Sequence, residues 1–263
     1  MIALASFATG EFIAPQMELA RSALQCGARR VSMWRREDLI GTAFYQENRD
    51  ILDRPRGAGY WLWKPYIILR ELERLDKGDF LIYCDTGPPH KTQIVKRPLS
   101  ILTEWCREHR GGLLPGLYLP RYGSNTRWIK GECFAVMGCE APLYKEHPQI
   151  QAGISVWEKH EASTALAAEW LRWASNPQAL LDDQIDPTIP NAADFVEHRH
   201  DQAVLTLLVL KQGLKLVGSP LECHPAERRI NSLIDRISGK LETESFAELF
   251  PSFAERYPAL VEP

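Results

Sequence analysis

No CxxC pair occurs among the six cysteines, which stand at positions 26, 84, 106, 133, 139 and 223. Their spacing therefore excludes the common zinc ribbons and thioredoxin-like redox centres. Cys84 lies inside an apolar strand pattern, which speaks for reduced thiols and a cytoplasmic setting rather than a disulfide framework. Long apolar runs are missing too. The longest, over 203–210 and interrupted only by Thr206, falls far short of the ~20 residues needed to cross a bilayer. The opening MIALASFATGEF has no basic region and an early acid, so it reads as a first strand and not as a signal peptide. Excess positive charge is also absent: 31 Lys and Arg face 34 Asp and Glu, for a net charge of −3. Nucleic acid and anionic lipid are offered no general attraction, although a local basic pocket is compatible with these totals. GxGxxG, GxxxxGK, GxSxG and HExxH do not occur, nor does any internal repeat or low-complexity segment.

What is present fits one α/β domain, or one domain with a small appendage. The chain has 263 residues, of which 45% are hydrophobic and 25% charged. Its organising stretch is 56–87, RGAGYWLWKPYIILRELERLDKGDFLIYCDTG. Ile68, Leu72 and Leu75 recur at helical spacing, with charged residues on the other sides, and Lys77-Gly78-Asp79 supplies a helix stop. The run FLIYC over 80–84 predicts a buried strand that delivers Asp85 at its carboxyl end, where open α/β sheets hold their ligands. Around this core the pattern predicts a strand over 2–8, a helix over 15–26 and a strand over 30–34. Beyond it come a helix over 99–109, strands over 117–119, 133–137 and 151–157, and a helix capped by Ser163 and running to Trp173. Residues 176–193 read as a long loop, 203–212 as a strongly apolar helix and 214–217 as a last strand.

Four constellations carry possible chemistry. Asp85, followed by Thr86 and Gly87, suits a metal or a ribose beside a diphosphate, and equally suits an Asp-initiated turn. The aromatic loop Gly57, Gly59, Tyr60, Trp61 and Trp63 suits a sugar or nucleobase face, though large aromatics are more often core. Lys64 at the start of the following helix opposes the helix dipole and calls for another reason, such as a phosphate at the same helix end. HRHDQ over 198–202 has metal-ligand spacing in His198, His200 and Asp201, or else Asp201 is a helix N-cap beside two surface histidines. Arg121, Asn125, Arg127, Trp128 and Lys130 form either a phosphate clamp or a solvated loop.

Taken together, GYWLWKPYIIL, GDFLIYCDTG, WIKGECFAVMG and DFVEHRHDQAVLTLLVLKQGL resemble a group of bacterial and viral glycosyltransferases of the capsule and lipopolysaccharide kind, related to the nucleotide-sugar enzymes of GT-A fold. The resemblance spans roughly 7–216, and WLWKP and HRHDQ are its most specific parts. It implies a single GT-A Rossmann-like domain over 1–222, a mostly parallel central sheet flanked by helices, and a helical extension over 223–263. It implies transfer of a sugar from a nucleoside-diphosphate sugar, a UDP-sugar favoured, to a glycan or lipid-linked acceptor hydroxyl. The setting implied is cytoplasmic, with allowance for peripheral contact at the inner membrane face.

Residue by residue, the resemblance makes Asp85 the first aspartate of an Asp-X-Asp motif that holds a divalent metal, Mn²⁺ or Mg²⁺. Gly87 departs from that motif at its second aspartate, and His200 or His224 would have to complete the ligand set. Asp201-Gln202 resembles the Asp-Gln pair that retaining enzymes put under the transferred sugar, so a retaining outcome is slightly favoured. An inverting one would use Asp201, Glu197 or His200 as base. Ser6, Phe7 and Ala8 match the nucleobase position, Trp61 lies in the donor-binding loop, and Lys64 and Lys130 match the diphosphate cations. The rival expectations are a metal-dependent hydrolase built on His198, His200 and Asp201, and a nucleotide-sugar binding module without catalysis. Against the hydrolase, the histidines at 90, 109, 147, 160 and 224 form no second cluster.

Overall fold

The computed structural model describes residues 1–95, 98–108, 112–114, 117–118, 123–214 and 217–218. The expected extension over 223–263, His224, Cys223 and Arg121 lie outside the described residues.

Five strands form one open mixed sheet in the order β2-β1-β3-β6-β4. β1 (Ile2–Phe7) runs parallel to both β2 (Arg30–Trp34) and β3 (Phe80–Cys84). β6 (Ile154–Glu158) runs antiparallel to β3 and to the edge strand β4 (Leu113–Leu114). Four strands therefore share one direction and β6 opposes them. A separate two-stranded parallel pair joins β5 (Leu117–Tyr118) to β7 (Val217–Gly218).

The period-2 alternation of strand side chains sorts the core onto two faces. On one face Leu4, Phe80, Ile82, Cys84 and Val156 pack with Leu19 and Ala23 of α1 (Ile13–Gln25) and with Leu102 and Cys106 of α6 (Ser100–Glu108). On the other, Ala3, Ala5, Phe7, Leu81, Tyr83 and Trp157 meet three helices. These are α5 (Trp63–Glu73), α9 (Glu161–Ala174) and α11 (His200–Lys211). Helix α11 is the most deeply set: Ala203, Val204, Leu205, Leu207, Leu208 and Val209 are all fully buried. A helix apolar on every side is stable only inside a core, as here.

Several boundaries differ from the pattern-based expectation for local reasons. Residues 133–136 belong to a helix, α7 (Gly131–Val136), with Met137 as its C-cap, and not to a strand, because a short apolar run fits either geometry. Helix α5 ends at Glu73, and Gly78 with φ +85° makes the separate turn into β3. His160, not Ser163, is the N-cap of α9; the two side chains form a reciprocal capping box. The loop expected over 176–193 contains a short helix, α10 (Pro177–Leu180). Between α2 (Ala43–Glu47) with α3 (Arg49–Leu52) and helix α5 lies the single turn α4 (Gly57–Tyr60), described below. The segment 142–146 forms α8 (Pro142–Glu146). Among the described residues no helix is long and apolar enough to cross a membrane.

Candidate functional site

The site begins with a local oddity. Gly57, Ala58, Gly59, Tyr60 and Trp61 all have positive φ, at +57°, +50°, +101°, +54° and +58°. The chain thus makes a left-handed turn, closed by the amides of Tyr60 and Trp61 donating to the carbonyls of Arg56 and Gly57. Left-handed backbone costs L-residues about 1–2 kcal/mol each. Two glycines lower that cost, and both are required by space as well. A Cβ on Gly57 would lie 2.4 Å from Trp61 Cε3, and one on Gly59 would lie 2.6 Å from the Leu52 backbone. The turn is held by the Trp63 indole N–H donating to the Gly57 carbonyl at 3.0 Å and by the stacking of Trp63 on Phe7.

From this turn the chain enters α5 and puts Lys64 in its first turn, 2% exposed. Its Nζ lies 2.9 Å from Asp201 Oδ2 and, more loosely, 3.4 Å from Asp85 Oδ2. Lys64 and Asp201 both come from helices on the Tyr83 face of the sheet, so they meet at the carboxyl end of β3. There the Tyr83 hydroxyl donates to Asp85 Oδ1 at 2.6 Å. The unfavourable position of Lys64 against its own helix dipole is thus compensated by two carboxylates. Asp201, in the first turn of α11, sits where the dipole of that helix favours an anion.

Burial pushes the Asp201 carboxyl up to about 6, against the pull of the Lys64 ammonium. Burial alone would lower Lys64, but Asp201 and Asp85 outweigh it and hold the ammonium charged. Burial, reinforced by Asp85, keeps the Tyr83 hydroxyl protonated far above neutrality, so it remains a donor. At neutral pH the trio is a cation between two anions. Asp201 is enclosed, whereas the Asp85 side chain keeps 41% of its surface exposed. Gly153 makes that exposure workable: a Cβ there would stand 3.0 Å from Asp85 Oδ2, while its carbonyl accepts the Asp85 amide at 2.8 Å.

These groups open into a cavity of about 220 Å³, walled also by Arg56, Trp61, Arg199, His200 and Gln202. His200 is itself left-handed, with φ +49°. Its ring stacks on Trp61 at 5.5 Å and meets the Tyr60 edge at 4.9 Å. Two segments of unusual backbone therefore face each other across the pocket, an arrangement common at functional sites. Gln202 Oε1 accepts the Ala152 amide at 3.3 Å and its Nε2 donates to Gln149 Oε1 at 3.1 Å, tying α11 to the segment entering β6.

The structure gathers Asp85, Lys64, Trp61, His200, Asp201 and Gln202 at one cavity. His198 lines the same cavity, whereas Ser6, Phe7, Ala8 and Lys130 do not. Ser6, Phe7 and Ala8 are buried at the end of β1, with Phe7 stacked on Trp63 at 4.0 Å. Lys130, 1% exposed, gives its ammonium to Glu132 and to the Asp183 carbonyl, at 3.0 and 2.9 Å. Glu132 in turn accepts the Asp186 amide. Lys130 is therefore a clasp for the 183–191 segment rather than a donor contact.

His198 has both ring nitrogens in use. Nδ1 accepts the Lys130 amide at 3.3 Å and Nε2 donates to the Ala179 carbonyl at 2.9 Å, so no lone pair is left for a metal. Burial holds it neutral, with its pKa pushed well below the usual histidine range. His200 Nδ1 donates to the Leu180 carbonyl at 2.9 Å; burial also lowers this ring, and Nε2 is buried 3.7 Å from Asp182 Oδ1. Among the described residues no three His, Cys, Asp or Glu side chains are grouped to hold a metal ion. The oxygens of Asp85 that would ligate one already serve the Tyr83 hydroxyl and the Lys64 ammonium, and Gly87 brings no second carboxylate. The residues present thus do not fit a divalent ion at Asp85.

The chain matches no family model and no curated protein.

Arg56, Arg199, Tyr83 and Gly153 were not singled out by sequence pattern. Arg199 lies inside HRHDQ and Arg56 opens the aromatic loop, so adjacency to those two motifs was the available signal. Tyr83 looked like core, and Gly153 has meaning only through its contact with Asp85.

Proposed function

We propose that the protein is a glycosyltransferase that takes a sugar from a nucleoside-diphosphate sugar and passes it to an acceptor hydroxyl. The observation that carries this reading is the meeting of Asp85, Lys64 and Asp201 at the carboxyl end of β3, in a cavity walled by two arginines and an aromatic ring. Such a site combines what the reaction requires. The sugar gains positive charge in the transition state, which carboxylate and amide oxygens stabilise. The departing diphosphate gains negative charge, which cations placed beside it stabilise.

The volume of about 220 Å³ lies below the ~300–1,000 Å³ usual for whole drug-sized ligands, so it suits the sugar with its nearest phosphate. In this reading the bond from the anomeric carbon to the phosphate oxygen breaks and that carbon bonds the acceptor oxygen. Asp85, the more exposed carboxylate, faces the reacting sugar, and the acceptor proton leaves to it or to the departing phosphate. Asp201 holds Lys64 in place, Gln202 borders the sugar, and Trp61 with His200 forms an apolar wall. The hydrolase reading is not favoured, because His198 has no free nitrogen.

The test is incubation of the purified protein with UDP-, GDP-, dTDP- and ADP-sugars, with release of nucleotide followed in the presence of mixed glycan acceptors. Release from one donor, lost in Asp85→Asn, is the expected result. If no donor is consumed yet one still raises the melting temperature, a binding module replaces the transferase.

A further inference from the structure

Arg56 and Arg199 reach the cavity from opposite segments and share one carboxylate. Arg56 Nη2 lies 3.3 Å from Glu197 Oε2, and Arg199 Nη2 lies 2.9 Å from Glu197 Oε1. Arg56 Nη1 also holds Asp182 Oδ2 at 2.9 Å. Both arginines line the cavity, whereas Glu197 and Asp182 do not. Each arginine keeps 41–44% of its side chain exposed, so these pairs are the exchangeable kind. Around the cavity three cations, Arg56, Lys64 and Arg199, stand against two carboxylates, Asp85 and Asp201, and the histidines are neutral. The lining thus carries net positive charge and can take an anion. Guanidinium forks match phosphate oxygens in bidentate geometry.

Lys64 occupies the place a metal would need. Its ammonium is buried, fixed by two carboxylates on different elements, and bound to the Asp85 oxygen that a divalent ion would claim. We propose that this is a metal-independent diphosphate site: Lys64 is its resident cation, and Arg56 and Arg199 receive the diphosphate by releasing Glu197. The inference rests on the transferase reading for the identity of the ligand, but its physical content is an anion site and is tested as one.

The experiment is titration calorimetry of the full chain with inorganic pyrophosphate and with UDP, each in EDTA and in Mn²⁺. Circular dichroism confirms that every variant is folded. Expected are binding in EDTA, weakening by at least ~10-fold in Arg56→Gln and in Arg199→Gln, and tightening by roughly two- to fivefold in Glu197→Gln, which frees both arginines. The last variant gains affinity, so a folding defect cannot imitate its effect. Binding seen only with Mn²⁺, binding indifferent to all three substitutions, or no binding in either condition overturns the proposal. Its fate is separable from that of the transferase. Pyrophosphate binding of the expected pattern without consumption of any nucleotide-sugar sinks the transferase and keeps the anion site. Sugar transfer that strictly requires Mn²⁺ does the reverse.

Discussion

Protonation of Asp201 ties the site to pH in a direction set by its burial. The group ionises near 3.8 in an open chain and at about 6 in the fold. A raised carboxyl contributes stability that is whole below the open-chain value and is lost as pH rises through about 6. In urea titrations, wild type should therefore lose stability relative to Asp201→Asn between about pH 4 and pH 6, by up to ~1.4 kcal/mol per pH unit. A flat difference across that window would mean that pairing to Lys64, not burial, governs the carboxyl. Catalysis should follow the opposite course and fall below about pH 6, where Asp201 no longer balances Lys64.

The other two members of the trio differ by exposure. Lys64→Met leaves Asp201 as a buried unpaired charge, an error that costs about 3–5 kcal/mol. Asp85→Asn touches a half-exposed group and should change stability by less than ~1 kcal/mol while lowering transfer by about 10²-fold or more. Chemical unfolding and donor turnover, measured on both variants, separate the holding role from the reacting one. These three residues were legible in the sequence because each sits at a position with a mechanical meaning: a strand end, a helix start, a helix first turn. Lys64 stood out as a cation set against its helix dipole, for which the sequence suggested a phosphate. The anion turned out to be intramolecular, and no spacing rule pairs positions 64, 85 and 201.

At the scale of the element, the left-handed turn invites a substitution that would harm an ordinary helix. Ala58→Gly relieves about 1–2 kcal/mol of backbone strain against the ~0.5–1 kcal/mol entropic cost of a glycine. A net gain of about 0–1.5 kcal/mol is expected from the difference, read as a shift of the thermal midpoint. A loss of stability would show that the neighbouring stacks dominate the turn. The sequence offered Gly57 and Gly59 as loop punctuation, but not the handedness, since Tyr60 and Trp61 are residues that ordinarily avoid positive φ. β1 and β3 were readable for the opposite reason: nearly continuous apolar runs bounded by glycine or charge leave little choice. α7 was misread because its apolar run is too short to show a period.

At the scale of the molecule, the pocket is assembled from segments far apart in the chain. Arg54 meets Asp183, and Arg56 meets Asp182 and Glu197, across sequence separations of 126–141 residues. Exposed pairs like these contribute at most ~1 kcal/mol each and are screened at a Debye length of ~3 Å in about 1 M salt. Raising salt from about 0.05 M to about 1 M should speed amide exchange within 57–61 while leaving β1 and β3 unchanged. Uniform acceleration would mean that the straps stabilise the whole fold instead. The sheet order and the reversed course of β6 were beyond pattern reading, because strand direction is decided by connections and not by composition.

The turn at 57–61 has a further consequence, and it concerns chirality. At Ala58 the dihedrals are φ +50° and ψ +46°, the reflection of an ordinary helical residue. What position 58 resists is the hand of the amino acid. A chain assembled by ligation with D-alanine at 58 would place that residue in its own preferred basin, so the mirror-image building block is locally the natural one there.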